Sequence, residues 1–209
     1  YKVGSDPSSA AFLIALTLLT PGSKLIIHNV LCNETRIFFL KILKKSNANI
    51  KVKNLRKVSG ELIGSIIITS SKLKPIIVSK DVGKFIDELP ILFVIASLIE
   101  GKSKFKNVGD LKFKESNRLL ESKKILTQAG VKCKSTNDSI TINGKNKFKN
   151  LNKLILIKTN GDHRICMSAV IFALVTGLRI KIKNFETVDT SFPGFIPLIK
   201  SLGGKVDIK

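Results

Sequence analysis

At 209 residues, 44% of them apolar, the chain can bury the core of one large domain or two small ones. Its longest apolar runs, residues 10–19 and 90–99, have core-helix length and fall short of the ~18–20 residues of a membrane span. Cys32, Cys133 and Cys166 are odd in number and lack metal-ligand spacing, so the expected setting is a reducing cytoplasm with no membrane partner. Of the 36 basic residues behind the net charge of +21, 31 are Lys and five are Arg, with no Trp and one Tyr. A nucleic-acid interface would use more Arg and more aromatics, so the charge reads as a solvated surface that can also draw in small anions. Each Arg that remains is expected to do something Lys cannot.

Behind Asp6, with Ser8 and Ser9 as expected capping hydroxyls, residues 10–19 predict a helix that is apolar nearly all round, and therefore buried. Gly22 and a strand follow, ending near Asn29; His28 lies in that strand and is expected to be structural. Thr35 to Lys45 predicts an amphipathic helix closed by Asn47-Ala48-Asn49, then an alternating strand over residues 50–53 and an extra strand over 65–69. The pattern starts again at Asp87. A buried helix (90–99), a strand to Asn107, an amphipathic helix (115–129) ended by Gly130, and strands at 131–134 and 139–142 make the second copy. Residues 145–151 read as a charged loop. The third copy opens at Asp162 with a buried helix (166–178), the strand Arg179–Lys183, Asn184, an amphipathic helix (191–202), Gly203-Gly204 and a final strand.

Repetition at about 75–80 residues means three supersecondary units sharing one core. Their boundaries fall near 1–80, 81–155 and 156–209. Helices apolar on every side with half-exposed strands imply an α/β fold in which a threefold repeat of βαβαββ-like units places buried helices inside and sheets outside. The chain starts at Tyr1, close to a helix with no leading strand, which suggests a fragment of a longer polypeptide.

Two motifs carry charge the fold alone would not require. Asp162 reads as an N-cap, but Arg164 in the same first turn opposes the helix dipole by ~0.3–1 kcal/mol, so an anion is expected there. Lys114-Glu115-Ser116-Asn117-Arg118 is expected to open the second amphipathic helix, which would place Lys114 and Arg118 on one face. That face is either a solvated surface with a Glu115–Arg118 pair worth ~0.2–0.5 kcal/mol or an anion site. Asp87 is either an N-cap or a general base. The equivalent positions Asp6, Asp87 and Asp162 would gather at one end of the helix cluster beside both cationic motifs. Such an end suits a small substrate with several negative charges.

Residues 6–12 and 87–90, the Lys114–Arg118 motif, Asp162-His163-Arg164 and Ser191-Phe192-Pro193, in this order, resemble the EPSP synthase family (3-phosphoshikimate 1-carboxyvinyltransferase). The resemblance implies transfer of the enolpyruvyl group of phosphoenolpyruvate to the 5-hydroxyl of shikimate 3-phosphate, by addition and then loss of phosphate, without a metal or organic cofactor. It implies that Asp87 takes the proton of that hydroxyl and that Glu115 moves the proton at the phosphoenolpyruvate methylene carbon. Lys114 would lie near the reacting oxygens. Arg118 and Arg164 would hold the phosphoenolpyruvate carboxylate, with Asp162 and His163 in the same substrate-binding group.

It also implies that this chain is the C-terminal half of a monomeric enzyme. The absent N-terminal domain would supply a Lys and an Arg to phosphoenolpyruvate and most contacts to shikimate 3-phosphate, leaving this chain nearly silent alone. Two departures stand out: Gly4-Ser5 where the family often has Pro-Gly, and Thr190 where many members carry Lys. The rivals are a UDP-N-acetylglucosamine enolpyruvyl transferase, a basic nucleic-acid-binding module and a non-catalytic paralogue. The Lys-Glu-x-x-Arg and Asp-His-Arg strings, the scarcity of Arg and aromatics, and the retained arginines argue against them in turn.

Overall fold

A computed structural model describes residues 3–149 and 154–207. The first unit runs through α1 (Pro7–Leu19), β1 (Lys24–Leu31), α2 (Phe38–Lys45), β2 (Asn49–Val58) and β3 (Glu61–Thr69). In the second, β4 (Ile77–Val78) leads through a 3-10 segment (Val82–Glu88) into α3 (Leu89–Ser97) and β5 (Gly101–Lys106). A second 3-10 turn (Gly109–Phe113) then precedes α4 (Arg118–Gln128), β6 (Lys132–Ser135) and β7 (Ser139–Gly144). The third has β8 (Ile155–Lys158), α5 (His163–Thr176), β9 (Ile180–Lys183), α6 (Thr187–Ser191) and α7 (Phe195–Ser201).

Each unit owns one sheet, in the orders β1-β3-β2, β4-β5-β7-β6 and β8-β9. Helices α1, α3 and α5 pack on one another at the centre. Every residue of α3 is buried, as a helix reading Leu-Pro-Ile-Leu-Phe-Val-Ile-Ala-Ser must be. The sheets cover this trio with their dry faces: in β5, Ser103 and Phe105 are buried while Lys102, Lys104 and Lys106 face out. Helices inside and sheets outside, threefold, is the observed architecture.

The strand before each central helix pairs in parallel with the strand after it: β4 with β5, and β8 with β9. Ser5 makes the same parallel contact with Val30, its N–H donating to the Asn29 carbonyl at 2.7 Å. In the first unit an isolated bridge at Ser5 stands where the other two units have a strand. Asn29, Asn107 and Asn184, the recurring Asn of the repeat, all adopt the left-handed region (φ 56°, 59° and 58°), which Asn tolerates better than most side chains.

Several boundaries move. Residues 77–78 precede the boundary expected near 80, yet β4 belongs to the second sheet. The helix expected over 191–202 is two short helices broken at Phe192-Pro193-Gly194, where Pro193 lacks an N–H and Gly194 turns left-handed (φ 84°). The helices expected from Thr35 and Glu115 begin at Phe38 and Arg118. Among the described residues no strand follows Gly203-Gly204, and part of the expected 145–151 loop lies outside them.

Gly144 ends β7 against the last turn of α3, so close that a Cβ would fall onto the carbonyl oxygens of Ile99 and Ala96. Backbone cannot yield as a flexible side chain can. Gly144→Ala should therefore destabilise the fold by about 3 kcal/mol, measured by urea unfolding.

Candidate active site

The N-termini of α1, α3 and α5 meet at one end of the helix trio, and the sequence-predicted residues meet there too. Two of the three equivalent acids are caps. Asp6 accepts from the Ser8 and Ser9 N–H groups and from the Ser9 hydroxyl, and Asp162 Oδ1 accepts from the Arg164 and Ile165 N–H groups at 3.0 and 3.3 Å. Asp87 is not a cap. It lies in the 3-10 segment ahead of α3, and its half-exposed carboxylate points to the cations of the second unit.

Lys114 to Asn117 do not open α4, as expected, but form an extended turn. Asn117 is the N-cap, accepting from the Leu120 N–H at 3.1 Å, and Arg118 is the first helical residue. The i,i+4 face therefore does not exist. What the turn does instead is aim Arg118 inward. Its side chain is 1% exposed and each of its three nitrogens is taken: Nε by Asp162 Oδ2 at 2.8 Å, Nη1 by Asp87 Oδ1 at 2.8 Å, and Nη2 by Glu115 Oε2. The Ser116 hydroxyl adds a hydrogen bond to Asp162 Oδ2 at 2.9 Å. Asp162, fully buried and holding four hydrogen bonds, has no surface left for a substrate.

Lys114 Nζ stands 3.2 Å from Asp87 Oδ1, beside Arg118 Nη1. Burial pushes the Asp87 carboxyl up, but Arg164, Lys114 and Arg118 together outweigh it and hold the group below the usual carboxylate range. His163, the first residue of α5, is pushed down by burial and by Arg164, so it is neutral at pH 7. Arg164 differs from Arg118. Its Nη1 donates to the Asp87 carbonyl at 3.3 Å and lies 3.9 Å from Glu88 Oε1, while its Nε and Nη2 have no hydrogen-bond partner among the described residues. That leaves one edge of the guanidinium fork for a carboxylate.

Sequence reasoning passed over Glu88 and Ser116 and misread Ser8. The Ser8 hydroxyl does not cap α1 but donates to Glu88 Oε1 at 2.5 Å, across 80 positions of sequence. The available signal was Glu88 itself, an acid immediately before a helix with no polar face. A cavity of about 360 Å³ opens beside this pair, bordered by Arg36, Lys84 and Asp87. Thr190, where a Lys was looked for, spends its hydroxyl on the Thr187 carbonyl at 2.8 Å. His28 meets Ser65 within the first sheet, away from this end. Among the described residues no group of His, Cys, Asp or Glu is arranged to hold a metal, and no helix is long and apolar enough to cross a membrane.

Residues 1–199 match the family EPSP synthase (3-phosphoshikimate 1-carboxyvinyltransferase). Curated relatives named 3-phosphoshikimate 1-carboxyvinyltransferase include one from Acidiphilium cryptum, 35% identical over 98% of this chain and 45% of its own length. Another, from Caldicellulosiruptor saccharolyticus, is 38% identical over 98% of this chain and 47% of its own. An EPSP synthase structure from Acinetobacter baumannii superposes with a TM-score of 0.89 at 36% identity, covering 99% of this chain and 48% of that one. The enolpyruvyl transferase NikO from Streptomyces tendae, at 11% identity and a TM-score of 0.68, shares the fold. The chain belongs to the EPSP synthase family, and it spans about half the length of the curated relatives it matches.

Removing Arg118 takes the only ion-pair partner among the described residues from buried Asp162, leaving it the Ser116 hydroxyl and two backbone N–H groups. Arg118→Met should cost about 3–5 kcal/mol in urea unfolding, and Arg118→Lys nearly as much, because one ammonium cannot reach three separate carboxylates. The lowered Asp87 pKa gives a second expectation. Its contribution to stability is present above the usual carboxylate pKa and is lost as pH falls through its lower folded value. The acid limb of stability against pH should therefore be shallower in Asp87→Asn than in the wild type.

Proposed function

We propose that this chain is the C-terminal half of a monomeric cytoplasmic enzyme that transfers the enolpyruvyl group of phosphoenolpyruvate to the 5-hydroxyl of shikimate 3-phosphate. The observation that carries the reading is one half-exposed carboxylate, Asp87, kept ionised by Lys114 and Arg118 beside an Arg164 fork with an open edge. An ionised base next to a free carboxylate receptor is what the addition step requires.

In the first step the acceptor hydroxyl oxygen attacks C2 of phosphoenolpyruvate. Its proton passes to Asp87, and C3 takes a proton from Glu115, which takes one up from solvent once the substrate has freed it from Arg118. In the second step C3 gives a proton back to Glu115 as the C2–O bond to phosphate breaks, which restores the double bond, and the departing phosphate carries off the proton held by Asp87. Asp87 begins as a weak base because cations surround it. A bound phosphoenolpyruvate carboxylate offsets those cations, and the proton affinity of Asp87 rises when the substrate is in place.

Glu115, tied to Arg118 Nη2 in the free chain and half-exposed, is released as the substrate anion competes for that nitrogen. Arg164 is the anion receptor with an edge free in advance, Arg118 the one that must first exchange a partner. Asp162 orients Arg118 and does not itself touch substrate. The helix N-termini add their positive dipole ends to the same site. The site lies open on one side, as half of a cleft does, and the N-terminal domain of the same polypeptide supplies the facing groups.

Phosphate release from phosphoenolpyruvate, dependent on shikimate 3-phosphate, should be absent in this chain alone and appear when it is joined to the N-terminal half. In that complete polypeptide Asp87→Asn should lower kcat roughly 10²–10⁴-fold, and Arg164→Lys should lower kcat/KM for phosphoenolpyruvate roughly 100-fold. Wild-type rates in both folded variants would overturn the reading.

A further inference from the structure

Arg164 occupies the first turn of α5, at the positive end of the helix dipole, with only 16% of its side chain exposed. Nothing in its own helix holds the guanidinium there. The acceptors that face it come from another unit and are adjacent in sequence: the Asp87 carbonyl, 3.3 Å from Nη1, and the Glu88 carboxylate, 3.9 Å from the same atom. The carbonyl is neutral, and its hydrogen bond is long. The carboxylate is charged, buried and itself anchored, because Oε1 accepts from the buried Ser8 hydroxyl at 2.5 Å. Glu88 caps no helix N–H, although it stands at the N-cap position of α3. Its burial therefore serves no local purpose.

We propose that Glu88 is a positioning residue for Arg164: its carboxylate, fixed by Ser8, holds the inner Nη1 edge of the guanidinium so that Nε and Nη2 stay presented to an anion. A residue of the first unit thus pins a residue of the second, which orients a residue of the third. The inference rests on the reading that Arg164 receives the phosphoenolpyruvate carboxylate. Burial keeps the cost of the arrangement high, pushing the Glu88 carboxyl up against the opposing pull of Ser8 and Arg164. Neutralising it should not unfold the protein. Glu88→Gln can still accept from Ser8 while losing the charge that faces Arg164.

Two readouts in the complete polypeptide test this. The order of the Arg164 side chain is followed by ¹⁵N relaxation at Nε, and steady-state kinetics are measured for each substrate. Glu88→Gln should make the Arg164 Nε markedly more mobile and raise KM for phosphoenolpyruvate at least 10-fold. The fall in kcat should stay under threefold and KM for shikimate 3-phosphate within twofold. Ser8→Ala, which leaves the charge but frees its anchor, should give the same signature at about threefold, and serves if Glu88→Gln does not fold. Unchanged Nε mobility in a folded variant overturns the proposal, as does an equal loss in every parameter with a lower Tm. A loosened Arg164 with unchanged phosphoenolpyruvate kinetics would leave Glu88 in its role and overturn instead the assignment of Arg164 to that substrate.

Discussion

A guanidinium with no access to water has to be surrounded by acceptors, and the active end of this domain is organised around that requirement. Arg118 draws Asp87, Glu115 and Asp162 to itself from three separate segments. Leaving such a charge unpaired inside a protein would cost several kcal/mol, so the segments are not free to drift. The consequences are local. The chain turns at Lys114–Asn117 instead of continuing as helix, α5 starts where Asp162 can cap it and still reach Nε, and the 3-10 segment before α3 keeps Asp87 within reach.

Two arginines in the same cluster have taken opposite roles. Arg118 is enclosed and spent on protein carboxylates, whereas Arg164 keeps an edge without a partner among the described residues. The difference follows from what each helix start offers. Arg118 enters α4 behind an Asn cap that leaves the side chain free to turn inward. Arg164 enters α5 behind Asp162, whose second oxygen is already engaged by Arg118 and Ser116. Lys in either place would supply charge but not a planar fork able to serve several oxygens at fixed angles.

The threefold repeat explains why such a cluster can exist. Three apolar helices packed in one bundle bring three N-termini, with their unpaired N–H groups, to a single end. Asp6 and Asp162 satisfy part of that need. The second unit diverges: its acid, displaced into a 3-10 segment, caps no helix and turns instead to Lys114 and Arg118.

What could be read along the chain was whatever depends on neighbours a few residues apart. A helix apolar all round can only be buried, an alternating strand can only have one wet face, and the recurrence of acid, helix, Gly, strand and Asn announced three like units. Scarcity of Arg made Arg118 and Arg164 conspicuous, and the motif order pointed to their chemistry. Tertiary structure alone decided the rest. A Lys-Glu-Ser-Asn-Arg string is compatible with a helix or a turn, and the choice was settled by Asp162 and Asp87, 44 and 31 positions away from Arg118. Ser8 looks like a capping hydroxyl until Glu88, 80 positions on, is brought beside it. Local pattern encodes burial and periodicity because those are properties of single elements. Which arginine is enclosed and which stays open is a property of charges that meet only once the three helices have packed.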